Sequence, residues 1–295
     1  MIKKILPFFA AAGLLLTACN YRVHQIDPEP QSAQVSVHVS GFSVAMEDLP
    51  STRAMQDVNT YTTVGAITLA FYSGTTELLK TTQIRSDNTT YTTFGDFSCT
   101  LPIGNYTVVA LAYAVGSNDV FTLTSPTQAA FTSERPRETF SAVGPISLTN
   151  ADPYDLQLEL DRISAKLNII STDGRTQDAT KIRTTFSAGS KSFNPTTGLA
   201  LDDNGFTQTN NPSTSVGTPI NVSIFPFLSS DEQTMDITLE TLDSDDNVIS
   251  TKLIEDVPFK INCSTILTGS LFSANAQTSS FQLETAWGTD INKSF

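Results

Sequence analysis

From residue 34 onward, short runs of alternating apolar and polar residues recur, and no sustained stretch has the spacing of an amphipathic helix. Val35, Val37 and Val39 alternate with Gln34, Ser36 and His38, which predicts a strand over residues 34–46 with one face in a core. Leu156, Leu158 and Leu160 alternate in the same way with Gln157, Glu159 and Asp161. Two hairpins are expected: 66–72 with 77–84 across Ser73-Gly74, and 93–101 with 106–113 across residues 102–105. Short strands at 121–123 and 138–140 flank a Pro/Ser/Thr-rich excursion. Further strands follow at 165–170, 182–186, 189–193, 198–201, 220–227, 235–242, 248–254, 257–261, 265–272 and 280–286. Residues 47–60 and 202–218 read as exposed polar loops. Many short strands separated by Gly, Asn, Asp and Pro define an all-β chain of two β-sandwiches.

The expected division is an N-terminal sandwich over 34–160 and a C-terminal one over 161–295. A faint internal echo accompanies it: residues 67–84 and 237–254 both read as 18-residue hairpins and agree at 5 positions. Strand composition alone can produce such a match.

The first nineteen residues follow a different pattern. Lys3 and Lys4 precede an apolar run over 5–16, shorter than the roughly 20 residues a permanent transmembrane helix needs. A charged start, a short apolar core and small residues before a cut site mark an export signal, here residues 1–18. Leu16-Thr17-Ala18-Cys19 resembles the bacterial lipobox, which implies cleavage between Ala18 and Cys19 and a lipid on Cys19. Residues 19–33, with Pro28 and Pro30 and no periodicity, read as a flexible spacer between lipid and fold.

Charge narrows the partners. The chain carries a net −13, and removing Lys3 and Lys4 makes the processed form −15. Such a surface repels phosphate backbones and anionic headgroups, which excludes nucleic acid as a partner and leaves lipid as the membrane tether. After Cys19 only Cys99 and Cys263 remain; an exported compartment permits a bridge between them, and apolar surroundings equally suit buried thiols.

The residues offer little chemistry, and neither a cofactor nor a catalytic set is expected. His24 and His38 are the only histidines and lack metal-ligand spacing. Glu159 and Asp161 form a carboxylate pair on the wet face of one strand. Asp243, Asp245 and Asn247 occupy the first, third and fifth places of a calcium loop, but Val248 and Ile254 stand where Gly and Glu are required, so a hairpin turn is expected. Trp287 is the only tryptophan and the one candidate for a surface glycan-binding lipoprotein.

Several patterns together resemble the Bacteroidetes fimbrillin superfamily, especially its lipoprotein anchor subunits. They are Cys19 in its lipobox, Ser51-Thr52-Arg53-Ala54 after the first strand, and the run from Leu101-Pro102-Ile103-Gly104-Asn105-Tyr106 to Ala110. Leu160-Asp161-Arg162-Ile163-Ser164-Ala165-Lys166-Leu167, Pro258-Phe259-Lys260-Ile261-Asn262 and Leu267-Thr268-Gly269 complete the set. The resemblance implies two transthyretin-like sandwiches in tandem and a place in a pilus at the outer membrane. It also implies partners, namely other fimbrial subunits joined by insertion of a donor strand. In such subunits a stalk or tip member is cut after an arginine, here between Arg53 and Ala54, whereas an anchor keeps its lipid.

Overall fold

The computed structural model describes residues 31–45, 53–87, 89–117, 120–133, 135–273 and 279–284. Among them the chain is all-β, with nineteen strands and no helix. Ala18, Cys19, His24 and Trp287 lie outside the described residues.

The N-terminal half contains β1 (Ser32–Ala45), β2 (Arg53–Asp57), β3 (Ala66–Ser73), β4 (Thr76–Ile84), β5 (Asp96–Pro102) and β6 (Gly104–Tyr113). It continues with β7 (Phe121–Ser125), β8 (Gln128–Phe131), β9 (Thr139–Leu148) and β10 (Tyr154–Arg162). The C-terminal half holds β11 (Lys166–Ser171), β12 (Lys181–Phe186), β13 (Ser192–Phe193), β14 (Phe206–Asn210) and β15 (Asn221–Ile224). It ends with β16 (Glu232–Leu242), β17 (Val248–Lys260), β18 (Ser264–Gly269) and β19 (Ser279–Glu284).

Seven strands of each half share one connectivity. In the first, β5-β1-β10 forms one layer and β9-β6-β3-β4 the other; in the second, β15-β11-β18 and β17-β16-β12-β14 correspond in chain order. Each half opens with a strand that later runs parallel to its seventh, β1 beside β10 and β11 beside β18. The other pairings in both sets are antiparallel. The sequence echo does not follow this repeat: β3–β4 corresponds by connectivity to β12–β14, and β16–β17 to β6 and β9.

Three local expectations are corrected. Residues 53–57 are not open loop but the strand β2, which pairs with β1 beyond the point where β5 stops. Residues 206–210, expected as loop, form β14 because Phe206 is buried and stacks on Phe186 at 4.5 Å. Residues 198–201 form no strand and contribute only an isolated bridge from Ala200 to Phe193. Cys99 on β5 and Cys263 ahead of β18 are not bonded to each other.

Apolar side chains collect into three clusters. One fills the N-terminal sandwich and includes Val35, Val37, Phe42, Leu69, Phe97, Phe140 and Leu160. A second fills the C-terminal sandwich around Leu167, Phe186, Ile237 and Phe259. The third joins the halves: Tyr72, Leu111 and Tyr113 from β3 and β6 meet Leu123 and Phe131 from β7–β8, and Phe193 and Phe227 from beyond β11. The hairpin β7–β8 and β13 make a small sheet over this seam. Phe193 and Phe227 are fully buried there, and each contributes about 1.5–3 kcal/mol.

Beside the seam lies a buried ion pair. Arg162, which ends β10, donates through Nη2 to Glu138 Oε1 at 2.8 Å, and both side chains are essentially solvent-free. Arg162 also donates to the Tyr61 hydroxyl at 2.8 Å and, through Nη1, to Asn262 Oδ1 at 2.9 Å in the opposite half. Tyr61 in turn donates to Glu138 Oε1 at 2.7 Å. Burial pushes the Tyr61 phenol up to about 12, with Arg162 opposing and Glu138 adding to the rise, so it stays a donor at any ordinary pH.

A buried charge stripped of its partner is costly, whereas an apolar pair in the same space is close to neutral. Arg162→Leu is therefore expected to destabilise the chain by about 3–5 kcal/mol in denaturant titrations. Adding Glu138→Leu should recover most of that loss; a double variant no more stable than the single would show that Glu138 is not what Arg162 neutralises.

Candidate functional site: the strand that fills the N-terminal sheet

β1 is an inner strand. Its first seven residues pair with β5 on one edge, residues 41–45 pair with β2 on the same edge, and β10 runs along the other. Ala33, Val35, Val37 and Val39 are buried at 0–2 % exposure, so period-two alternation puts one whole face into the core. A bulge at residues 39–41 then shifts the phase, and Phe42 and Val44 point into the same core from even positions. Gly41 is required at that bend, since a Cβ there would lie 2.6 Å from the Gln56 carbonyl of β2.

Phe42 connects this strand to the junction. Its ring packs 4.8 Å from Phe140 and 5.8 Å from Tyr61, and the Arg162 guanidinium lies over Phe140 at 5.1 Å. Removing β1 would empty the middle of a sheet, strip a row of core side chains, and take away one support of the residues that hold Arg162.

Of the residues singled out from the sequence, Arg53 and Ala54 open β2, opposite Ala45 and Val44 of β1. The bond between them sits at the start of a backbone ladder, not in an open loop. A protease reaches such a bond only after β2 peels from β1, a local opening that intact pairing opposes.

β19 is also paired. β19 runs antiparallel to β18 over its full length, with Phe281 opposite Leu267 and Leu283 opposite Thr265. The turn leading toward it is fastened by Asp173, a residue that sequence reasoning passed over. Its carboxylate accepts hydrogen bonds from Ser270 Oγ at 2.6 Å and from the amides of Leu271, Phe272 and Ser273 at 2.7–2.9 Å. Burial alone would raise its pKa, but the Ser270 and Ser273 hydroxyls and the amides of Leu271 and Phe272 outweigh that and hold it at about 2. The signal for this role was only an Asp-Gly step after an apolar run.

The remaining candidates take structural positions. His38 bridges three strands on the outer face, with Nδ1 at 2.9 Å from Asp96 and Nε2 at 3.3 Å from Asp155. Glu159 and Asp161 lie on the exposed face of β10. Asp243 turns its carboxylate inward on its own hairpin, accepting from the amides of Asp245 and Asn247, while Lys181 holds Asp246. The 101–110 motif is the β5–β6 connection, where the Tyr106 hydroxyl donates to the Pro102 carbonyl at 2.7 Å. The 160–167 motif is the junction itself.

The model of a family of unknown function (DUF6562) matches residues 30–294. No curated protein sequence matches the chain. Among solved structures, the chain is similar to the fimbrial anchor protein Mfa2 from Porphyromonas gingivalis, at 10 % identity over 87 % of this chain and 100 % of that one, with a TM-score of 0.47. It is similar also to a candidate adhesin from Bacteroides ovatus, at 11 % identity, 82 % and 88 % coverage and a TM-score of 0.48. A fimbrial assembly protein from Parabacteroides distasonis follows at 13 % identity, 86 % and 94 % coverage and a TM-score of 0.39. Similarity at this level does not carry over what those proteins do.

Two outcomes follow from the geometry. Val37→Asp places an unpaired carboxylate in a fully buried position and should cost several kcal/mol, about 3–5, read from the denaturation of the N-terminal half. An unchanged melting curve would show that β1 is not a core strand. For Asp173, the folded pKa of about 2 lies below the ordinary 3.8, so its contribution is complete above pH 4 and lost as pH falls toward 2. Asp173→Asn should therefore lose about 1 kcal/mol at pH 7, allowing for solvent screening, and the gap to the native chain should close as pH approaches 2.

Proposed function

The chain belongs to the DUF6562 family, and we propose that it is a structural subunit of a surface fimbrium, held to the outer membrane by a lipid on Cys19. Its place is the base of the filament, where it anchors the assembly and limits its length, and its neighbours join by β-strand addition. The supporting observation is that β2 and β19 are both paired within the chain's own sheets. The bond from Arg53 to Ala54 lies in the ladder of β2 on β1, which favours an uncut chain still joined to Cys19. The last strand, β19, is engaged along its whole length on its own β18, which leaves it unavailable for donation to a neighbour. A subunit that keeps its tether and holds β19 on its own sheet suits the terminal position of a filament.

The lipobox pattern at Cys19 supports export and lipid attachment, and sheets that end in backbone edges support strand addition as the mode of joining. The two sandwiches, divided near residue 160, are then joined through the aromatic seam.

Mass spectrometry of the membrane-bound protein tests this reading. The expected species begins at an acylated Cys19, and Cys19→Ser should release the protein and its filaments from the membrane fraction. A mature chain beginning at Ala54 would overturn the anchor position and make this a stalk or tip subunit.

A further inference from the structure

The two halves share seven strands, but they differ at one edge. In the C-terminal half the outer edge of β18 is covered by β19 over residues 264–269. In the N-terminal half the corresponding edge belongs to β10, and among the described residues it is covered only at its end, where Asp161 and Arg162 meet Ser141 and Phe140. Among the described residues, 154–160 of β10 pair with β1 alone. The side chains register the difference: Thr265, Ile266 and Leu267 are buried, whereas Tyr154, Leu156 and Leu158 lie half-buried against the core.

Natural sheets blunt such edges with Lys, Pro, bulges or shortness. The edge strand β17 carries Lys252 and Pro258 and two register shifts against β16, and the edge strand β14 has five residues. Along 154–160 β10 has no Lys or Pro, is not short, and meets only the bulge that β1 carries opposite Leu158 and Glu159, reading Tyr-Asp-Leu-Gln-Leu-Glu-Leu. We infer that residues 154–160 of β10 are a docking edge for an extended strand of a partner subunit, added antiparallel as β19 is added to β18. This rests on the subunit reading above and names where a neighbour attaches while β1 stays in place.

The occupant's chemistry follows from the two faces of β10. Toward the core it must offer large apolar residues at alternate positions, to cover Tyr154, Leu156 and Leu158. On the outer face it meets exposed Asp155 and Glu159, and cross-strand neighbours of opposite charge are favoured while like charges repel. The partner strand therefore alternates apolar residues with Lys or Arg. The chain's own β19, Ser-Ser-Phe-Gln-Leu-Glu, has the apolar alternation but no basic residue and a terminal Glu, so a second copy is the poorer fit.

Hydrogen exchange on the full processed chain, with synthetic peptides as probes, decides it. A peptide alternating Val and Phe with Lys should slow exchange at 154–160 by about tenfold or more and leave the β1–β5 ladder unchanged. Replacing its Lys residues with Glu, or blunting the edge with Leu156→Lys, should abolish that protection. The Glu peptide keeps the test valid if the variant fails to fold. Equal protection by a peptide of the β19 sequence would overturn the basic partner in favour of a second copy. Protection appearing at β5 with loss at β1 would overturn the edge in favour of exchange of β1, and full protection without any peptide would mean that the chain covers this edge itself. Failure of the peptide in a protein still found at the filament base would sink the edge alone. A peptide-binding chain absent from filaments would sink the subunit reading and leave the edge standing.

Discussion

The arrangement of this molecule depends on the buried pairing of Arg162 with Glu138. Charges removed from water are tolerated only when each is fully met, and here the partners come from four separate places in the chain. Glu138 precedes β9, Tyr61 follows β2, Arg162 ends β10 and Asn262 precedes β18. Of these contacts, the hydrogen bond from Arg162 to Asn262 ties the first sandwich to the second. The apolar seam beside it supplies adhesion without direction, while the ion pair and its hydrogen bonds supply the geometry. Because Phe42 of β1 packs on Phe140 and Tyr61, the first strand of the fold and the joint between the halves are mechanically one structure.

The duplicated plan makes the departures from it informative. Each half has the same seven strands and the same parallel pair, so what is added to either is what distinguishes their roles. The first half adds β2 and the β7–β8 hairpin; the second adds β13 and β19. The hairpin and β13 combine into the seam between halves. β2 and β19 each cover an edge, and the stretch of β10 left uncovered among the described residues is the asymmetry left over.

Strands with strict alternation were legible in the sequence. Val35, Val37 and Val39 announced β1, and Leu156, Leu158 and Leu160 announced β10, because one face of each meets the core and the other meets water. The bulge at Gly41 was not legible, since it reverses the phase without changing the residue types. β2 was missed because Arg-Ala-Met-Gln-Asp has no alternation and pairs only because β1 offers a vacant edge. The extent of β9 past residue 140 was hidden by Gly144 and Pro145, which read as a break yet are accommodated opposite Val108 and Thr107. At the candidate site, the 160–167 motif stood out, but its purpose did not. Tyr61 and Asn262 lie about a hundred residues to either side of Arg162, and no local pattern signals contacts at that separation.

The parallel pairing of β1 with β10 has a consequence for load. In the proposed arrangement, tension enters through the lipid-bearing N-terminus ahead of β1 and passes to β10, which bears the partner strand at its far edge and continues from its C-terminal end into the second half. Two strands running the same way and pulled from opposite ends slide past each other instead of unzipping. The hydrogen bonds between residues 35–43 and 154–161, on both sides of the bulge, then carry the force together. A filament base built this way resists drag along the direction in which the filament pulls, and would open most easily when pushed sideways.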